Sequence, residues 1–186
     1  MPRISKKDQA VRAALKIIED EGVRALTYDS LSTTTGISKS GLIYHFPSRH
    51  ELLVECHRYC AARWNAELEA LAGGRKASEL SVAERQRVMV LSLGKNDPVI
   101  ELLMSIHSQE HPDFLVPWKS VDDEWMLSGD DGSSDERELS DLMIVLMGMG
   151  LWVFDHVASE KLPDEKRQMI VERLLARIDS GEPLEL

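Results

Sequence analysis

The spacing of apolar residues along the chain predicts helices throughout and no strands. After Ser5, a good helix N-cap, Val11, Ala14, Leu15 and Ile18 fall on one face of a first helix, which ends near Gly22. Serine or proline also precedes the later apolar stripes, as expected where helices begin. These further starts are at Ser48, at Ser81 with Glu84 as a capping box, at the N-cap Asp97 followed by Pro98, and at Pro163. The pattern therefore predicts an all-α fold.

Residues 27–46 predict two short helices joined by a tight turn. Thr27 and Ser38 each stand where an N-cap is needed, and Gly36 can adopt the left-handed conformation that ends the first helix. Leu31 and Leu42 are spaced to pack these helices on a third one. The outer face is left with small and hydrogen-bonding side chains, as a recognition helix in a major groove requires. The segment is typical of a helix-turn-helix.

The charge distribution favours DNA binding at the N-terminal end. The 186-residue chain has a net charge of −10, but residues 1–50 contain eight Lys or Arg against five Asp or Glu, a net of +3 that leaves −13 elsewhere. We find no run of about 18 apolar residues and no secretory signal, so we expect a cytoplasmic protein without a membrane span. Two cysteines, Cys56 and Cys60, are compatible with a reducing compartment.

The C-terminal third has more apolar surface than a domain of this size needs. Residues 139–157 are apolar nearly all round, which predicts a helix buried on every side, and the last helix after Pro163 carries an apolar stripe. We expect a homodimer that packs through these last two helices. Before them, Pro112 and Pro117 are expected to flank a short segment, and residues 128–136 to form a mobile acidic loop.

The N-terminal segment resembles the TetR family of transcriptional regulators. The matching positions are Ala25–Thr27, Leu31, Gly36–Lys39, Leu42, Tyr44–Phe46 and Ser48–Leu53. The resemblance implies a helix-turn-helix DNA-binding domain over residues 1–47 and a ligand-binding and dimerisation domain over residues 48–186. It also implies a homodimer that represses transcription by binding a palindromic double-stranded operator, with no cofactor. The DNA contacts implied are Thr27, Tyr28, Lys39, Ser40, Gly41, Tyr44, His45, Ser48 and Arg49. The family usually has Tyr where this chain has Ile43.

Four tryptophans and eight methionines suggest an aromatic and adaptable ligand pocket. Residues 42–50 and 111–115, with Trp118, also resemble multidrug-responsive members of the family, and this resemblance implies an inducer that is lipophilic and cationic. The predicted ligand-binding residues are Trp64, Leu103, Trp118, Trp152, Phe154 and Asp155, whereas Trp125 is expected to be structural. The alternative is a regulator that senses a metabolite such as a fatty acid or an acyl thioester. In both cases ligand binding would shift the dimer to a state that fits the operator poorly.

Other interpretations find less support in the sequence. Cys56 and Cys60 lie one helical turn apart, but two ligands do not complete a zinc shell, and packed thiols are expected. His107 and His111 are also one turn apart, and capping or core roles are expected for them rather than a metal site. We find no catalytic serine elbow, phosphate-binding glycine loop or metal quartet, so no enzymatic activity is expected. A helical interaction protein without DNA binding would not need the polar face around Lys39 and Tyr44.

Overall fold

A computed structural model describes residues 5–95, 98–126 and 136–181. Within these residues the regular elements are all helices, as predicted. The α-helices are α1 (Lys6–Glu21), α2 (Tyr28–Thr35), α3 (Lys39–His45), α4 (Arg49–Leu71), α5 (Val82–Leu93), α6 (Val99–Ser108), α7 (Pro112–Trp125), α8 (Glu136–Val157) and α9 (Asp164–Ser180). Single 3₁₀ turns at Val23–Ala25 and Ala77–Glu79 precede α2 and α5.

The helix starts follow the predicted caps. The Ser5 side chain accepts the Asp8 N–H at 3.0 Å, and Ser81 forms a reciprocal capping box with Glu84. Pro98 is the cap of α6, whereas Asp97, the predicted cap, lies outside the described residues, as does most of the acidic segment 128–136. One prediction is wrong: Pro117 lies inside α7 and does not bound a separate segment, so its missing N–H leaves one helical bond unmade.

The chain divides into two compact units. One comprises Met1–Arg63 and Pro98–Trp118, and the other Trp64–Asp97 and Lys119–Leu186. This division by packing does not follow the functional boundary expected between residues 47 and 48, which stays a prediction.

The core of the first unit forms where α1, α2 and α3 meet. Ile18, Leu31, Leu42 and Phe46 are all completely buried, together with Leu26 in the segment before α2. Each buried aliphatic or aromatic side chain stabilises the fold by about 1.5–3 kcal/mol relative to its exposed state. These contacts fix the α2–α3 pair on α1, so the remaining face of α3 is free to contact other molecules.

The second unit is built where α5 packs on α8 and α9. Its core is a cluster of Val90, Ile144, Leu151, Leu174 and Ile178. The helices approach closely at glycines: a Cβ on Gly148 would lie 3.3 Å from the Leu93 side chain, and one on Gly94 only 2.5 Å from Val171. At Gly94 a larger residue would force its neighbours to shift, whereas at Gly148 the Leu93 side chain would have to move by only a few tenths of an ångström.

Within the single chain, α8 is not buried on every side as predicted. Ile144 and Leu151 are buried, but Leu142, Leu146 and Met149, which fall on one face, are 46%, 55% and 36% exposed. Residues 139–157 are long and apolar enough to cross a membrane by length and composition alone, with a mean hydropathy of 1.4, although Asp141 and Asp155 interrupt the apolar run. Helices of soluble proteins that pack in cores or interfaces meet the same criterion.

Candidate DNA-binding surface and ligand site

The helix-turn-helix is held by local hydrogen bonds. Gly36 ends α2 with φ +70°, a left-handed conformation that glycine adopts without strain. The Thr35 hydroxyl donates to the Leu31 carbonyl at 2.7 Å and accepts the Ile37 N–H at 3.2 Å, so it joins the end of α2 to the turn. Ser38 then caps α3 by accepting the Gly41 N–H at 3.2 Å. Gly36 and Ser38 thus have the helix-ending and capping roles that the sequence predicts for them.

The outer face of α3 is polar and exposed. Leu42 holds the helix to the core, while Lys39, Ser40 and Tyr44 point away from it, and the Tyr44 side chain is 83% exposed. An exposed aromatic ring with a hydroxyl can contact a phosphate or a base edge. Ile43, where the family usually has Tyr, is also 48% exposed and can offer an apolar contact to a thymine methyl.

Lys39 is already ion-paired in the free protein. Its ammonium group meets the carboxylate of Asp29 on α2, and both side chains are more than half exposed. Exposed pairs of this kind contribute at most about 1 kcal/mol, so a phosphate can compete for the lysine. Asp29 is thus a residue of this surface that the sequence did not single out.

Gly41 and His45 flank the exposed face. A Cβ on Gly41 would lie 3.1 Å from Ile37 and 3.2 Å from the Ser38 hydroxyl, so the glycine also serves the packing of the turn. The half-buried His45 ring contacts Tyr44 edge to face at a centroid distance of 5.3 Å and lies 6.2 Å from Phe46. The His45 ring is therefore packed against its two neighbours and is still partly exposed on the side of α3 that is expected to face DNA.

Thr27, Tyr28 and Ser48 have structural roles at the ends of helices. Thr27 forms a capping box with Ser30 at the start of α2, and the hydroxyl of Ser48 accepts the Glu51 N–H at 3.1 Å at the start of α4. The Tyr28 hydroxyl donates to the Phe46 carbonyl. Thr27 and Ser48 remain exposed, so they can still reach a phosphate, whereas the Tyr28 proton is committed to the protein.

The Arg49 guanidinium donates hydrogen bonds to the backbone of its own unit. Its Nε donates to the Leu26 carbonyl at 2.8 Å and its Nη2 to the Val23 carbonyl at 2.6 Å. The guanidinium therefore satisfies backbone acceptors at the 3₁₀ turn before α2. Because two of its donors are used in this way, Arg49 fixes the segment before α2 from the start of α4, and its contact with DNA stays a prediction.

In the first unit, Trp118 belongs to a buried hydrogen-bonded chain that the sequence did not reveal. Its indole N–H donates to Nδ1 of His57 at 3.0 Å, and His57 Nε2 lies 3.0 Å from Nδ1 of His107. Donation by the indole places the His57 proton on Nε2 and the His107 proton on its Nε2, 3.4 Å from the Glu110 carboxylate. Burial, together with the nearby His107, lowers the pKa of His57 to about 4.

These contacts bear on the predicted ligand residues of that unit. Trp118 is 6% exposed and its one polar atom is bonded to His57, which favours a core role. Leu103 lines a cavity of about 550 Å³ together with Val23, Arg49 and His107. A second cavity, of about 470 Å³, lies between His50, Phe46 and Asp113. Neither of these two cavities is lined by a tryptophan, so they do not form the aromatic pocket predicted.

In the second unit, Trp64 and Trp125 both donate to neighbouring side chains. The Trp64 indole N–H donates to the Ser92 hydroxyl at 3.2 Å, and that of Trp125, which is 1% exposed, donates to Asn65 at 2.8 Å. Trp125 is buried as predicted. Trp64 is only half-buried, so part of its ring remains available to a ligand.

The carboxylate of Asp155 is fully occupied by protein groups. It accepts the Leu162 N–H at 2.8 Å and pairs with Arg167 at 2.9 Å, with both charged side chains almost completely buried. The backbone N–H and the guanidinium lower the pKa of Asp155. Asp155 therefore joins α8 to α9 and does not offer a free charge for a cationic ligand. Trp152 is half-buried and Phe154 is 42% exposed on the same helix.

Cys56 and Cys60 are buried free thiols. Burial raises the pKa of both, that of Cys60 to about 12, so neither forms the thiolate that metal binding or redox chemistry requires. Packed thiols, as expected, fit these positions.

Two family models match the chain. Residues 10–56 match the model described as bacterial regulatory proteins of the tetR family, and residues 85–179 match the tetracyclin repressor-like C-terminal domain. No curated protein sequence matches.

Solved structures share the same fold at low identity. A transcriptional regulator of Pseudomonas aeruginosa PAO1 has a TM-score of 0.69 at 12% identity, covering 96% of this chain and 94% of that one. A regulator of Saccharomonospora viridis solved in complex with choline has a TM-score of 0.68 at 14% identity, covering 96% and 98%. The multidrug binding protein EbrR complexed with imidazole has a TM-score of 0.61 at 15% identity, covering 92% and 96%.

A cap-defined helix-turn-helix with a polar α3, followed by an all-helical C-terminal part, defines a helix-turn-helix transcriptional regulator. Because the C-terminal model covers half of the chain and the N-terminal model covers the helix-turn-helix, the protein belongs to the TetR family. Members of this family are soluble cytoplasmic transcription factors, not enzymes, and typically act as dimers that bind operator DNA and small molecules.

Proposed function

We propose that the protein is a homodimeric repressor that reads a palindromic operator with α3. The observation that carries the proposal is the exposed polar face of α3 on a fully buried anchor, Leu42. Lys39, Ser40, Gly41, Tyr44 and His45 contact DNA from this face. Two-fold symmetry places the half-sites roughly 34–36 Å apart or a multiple of that distance.

Thr27 and Ser48 support the same surface by contacting the backbone of the DNA. Both are exposed and lie at helix starts, where side-chain and backbone donors suit phosphate oxygens. Tyr28 contributes through its ring and its acceptor oxygen. Arg49 acts indirectly, by fixing the segment before α2.

The dimer forms through α8 and α9. The face of Leu142, Leu146 and Met149 on α8 is exposed in the single chain, as are Met169 and Ile170 on α9. Apolar surface of this extent on two neighbouring helices marks an interface. Because members of the TetR family typically act as dimers, the proposed partner of this surface is a second copy of the chain.

The inducer is a small lipophilic molecule, of the multidrug type and cationic. The likeness to structures that contain choline or imidazole supports a nitrogenous ligand, and the half-buried rings of Trp64 and Trp152 offer aromatic surface to it. Trp118, Leu103 and Phe154 remain in the proposal as candidate lining residues. The occupied carboxylate of Asp155 weakens the case for a cation, so a metabolite such as a fatty acid or acyl thioester is the second candidate.

Fluorescence anisotropy of labelled DNA from immediately upstream of the gene tests the proposal. Titration with protein should raise the anisotropy, and a lipophilic cationic dye should then lower it again by releasing the DNA. DNA binding that survives the dye but not an acyl thioester would support the second candidate. A protein that binds the upstream DNA no better than unrelated DNA of the same length would contradict the repressor proposal.

A further inference from the structure

His50, His111 and Asp113 meet at one point of the first unit. His50 is the second residue of α4, His111 immediately precedes α7, and Asp113 is the second residue of α7. Their candidate ligand atoms all lie within 4.8 Å of one another. The fold thus brings together three side chains that can bind a metal ion, although His50 lies 61 residues before His111 in the sequence.

The distances suit coordination by a single ion. His50 Nε2 lies 2.8 Å from Oδ2 of Asp113, and His111 Nδ1 lies 3.6 Å from the same oxygen. In a tetrahedral zinc site with bonds of about 2.0–2.1 Å, ligand atoms stand about 3.3 Å apart. These two separations bracket this value and the two imidazole nitrogens lie within 4.8 Å, so side-chain rotations that draw the imidazoles together would close the site.

The surroundings restrict the two imidazoles to this arrangement. The His50 and His111 rings pack edge to face at a centroid distance of 4.5 Å, and the Phe114 ring lies within 4.9 Å and 5.4 Å of them. Phe114 is 5% exposed and forms an apolar floor under the cluster. This aromatic contact orients the two imidazoles and limits the access of water from the Phe114 side of the cluster.

Access from solvent is open on the other side. His50 and Asp113 line the cavity of about 470 Å³, so an ion can enter and water can complete its coordination. Two cations, Lys7 and Arg58, also line this cavity. Glu55 pairs with Lys7 at 2.8 Å and with Arg58 at 2.7 Å, and its negative charge offsets their repulsion of a metal ion. His111 Nδ1 also accepts the Asp113 N–H at 3.1 Å, a bond that water replaces when the metal binds.

We propose that His50, His111 and Asp113 form a three-ligand site for a divalent transition-metal ion, with water in the open position. Two imidazoles and one carboxylate are the donors that Zn²⁺ and its neighbours in the first transition row prefer, whereas Mg²⁺ and Ca²⁺ prefer oxygen alone. The metal joins the start of α4 to the start of α7. This site differs from the pair His107 and His111 considered from the sequence, because His107 is bonded to His57.

Isothermal titration of the tag-free, full-length protein with Zn²⁺ tests the site. We expect one ion per chain for the wild type and for His156→Gln, a matched control on α8. His50→Gln and Asp113→Asn should each lower the affinity at least tenfold. Wild-type protein that binds no zinc, or ligand variants that bind it as tightly as the wild type, would overturn the proposal.

Thermal unfolding provides a second readout that also reports whether the variants are folded. Zinc should raise the melting temperature of the wild type and of His156→Gln, since an ion that binds only the folded state stabilises it. An equal rise in His50→Gln would assign the effect to another site and overturn the proposal. Both measurements are made without DNA, so their outcome does not depend on the proposed function.

Discussion

Lys39 on α3 forms an ion pair with Asp29 on α2 across the turn of the helix-turn-helix. The proposed phosphate contact of Lys39 must therefore compete with a carboxylate of the same protein. Removing that carboxylate frees the lysine and also removes a negative charge from the surface that faces DNA. We expect Asp29→Asn to bind the operator up to roughly 5-fold more tightly, the factor that corresponds to the upper limit of about 1 kcal/mol for an exposed ion pair. Fluorescence anisotropy at fixed salt measures this, and weaker or unchanged binding would speak against a DNA-facing Lys39.

Arg49→Met should destabilise the protein without changing how DNA binding depends on salt. The variant loses two charged hydrogen bonds to backbone carbonyls, at Leu26 and Val23, each with a distance under 3 Å. We expect the free energy of unfolding to fall by about 1–3 kcal/mol, measured by urea denaturation. Arg58→Met is the control, because its exposed pair with Glu55 contributes little. An Arg49→Met protein of wild-type stability with a shallower salt dependence would restore the phosphate contact first expected.

Protonation of His57 should make the protein less stable in mild acid. The pKa of the folded imidazole is about 4 and that of the unfolded one is 6.5, so between these values the unfolded chain binds the extra proton. Neutral His57 therefore contributes up to about 3 kcal/mol to the free energy of unfolding. This contribution is fully present above pH 6.5 and is lost as the pH falls towards 4. Urea denaturation across this pH range should show a shallower decline for His57→Gln than for the wild type. Parallel declines would mean that the buried chain through Trp118 and His107 does not govern acid stability.

Leu146→Glu should convert the dimer into a monomer. Leu146 is 55% exposed in the single chain and lies on the apolar face of α8. A charge buried at the centre of a helical interface is costly because no partner compensates it. Sedimentation velocity should show the monomer for this variant and the dimer for Val116→Glu, a control that is 65% exposed on α7. A Leu146→Glu protein that stays dimeric would place the interface elsewhere.

The sequence predicted the features that depend on neighbours along the chain. Ser38, Gly36 and the Ser81–Glu84 pair have the roles expected, because capping and left-handed turns are decided within a few residues. Pro117 is an exception: its helix-breaking tendency is overridden in α7, where tertiary packing prevails over local preference.

Roles that depend on tertiary contacts could not be predicted. Nothing in the sequence indicates a partner for His57, yet the fold places its Nδ1 3.0 Å from the indole nitrogen of Trp118, which lies 61 residues further along the chain. Position and charge predict binding roles for Arg49 and Asp155, whereas the fold also gives both of them backbone and side-chain partners inside the protein. The role of a charged residue depends on the groups that lie next to it in the folded protein. The spacing of apolar residues along the sequence does not predict those tertiary partners.

The salt dependence of operator binding by Lys39→Ala tests the central claim most directly. If Lys39 contacts a phosphate, the variant should bind more weakly at every salt concentration, and the slope of log affinity against log salt should decrease by about one for each lysine removed. Lys119→Ala is the matched control, since Lys119 is also exposed and paired with an aspartate, Asp123, at 2.6 Å. Wild-type affinity and slope in a correctly folded, dimeric Lys39→Ala protein would contradict the assignment of α3 as the recognition helix.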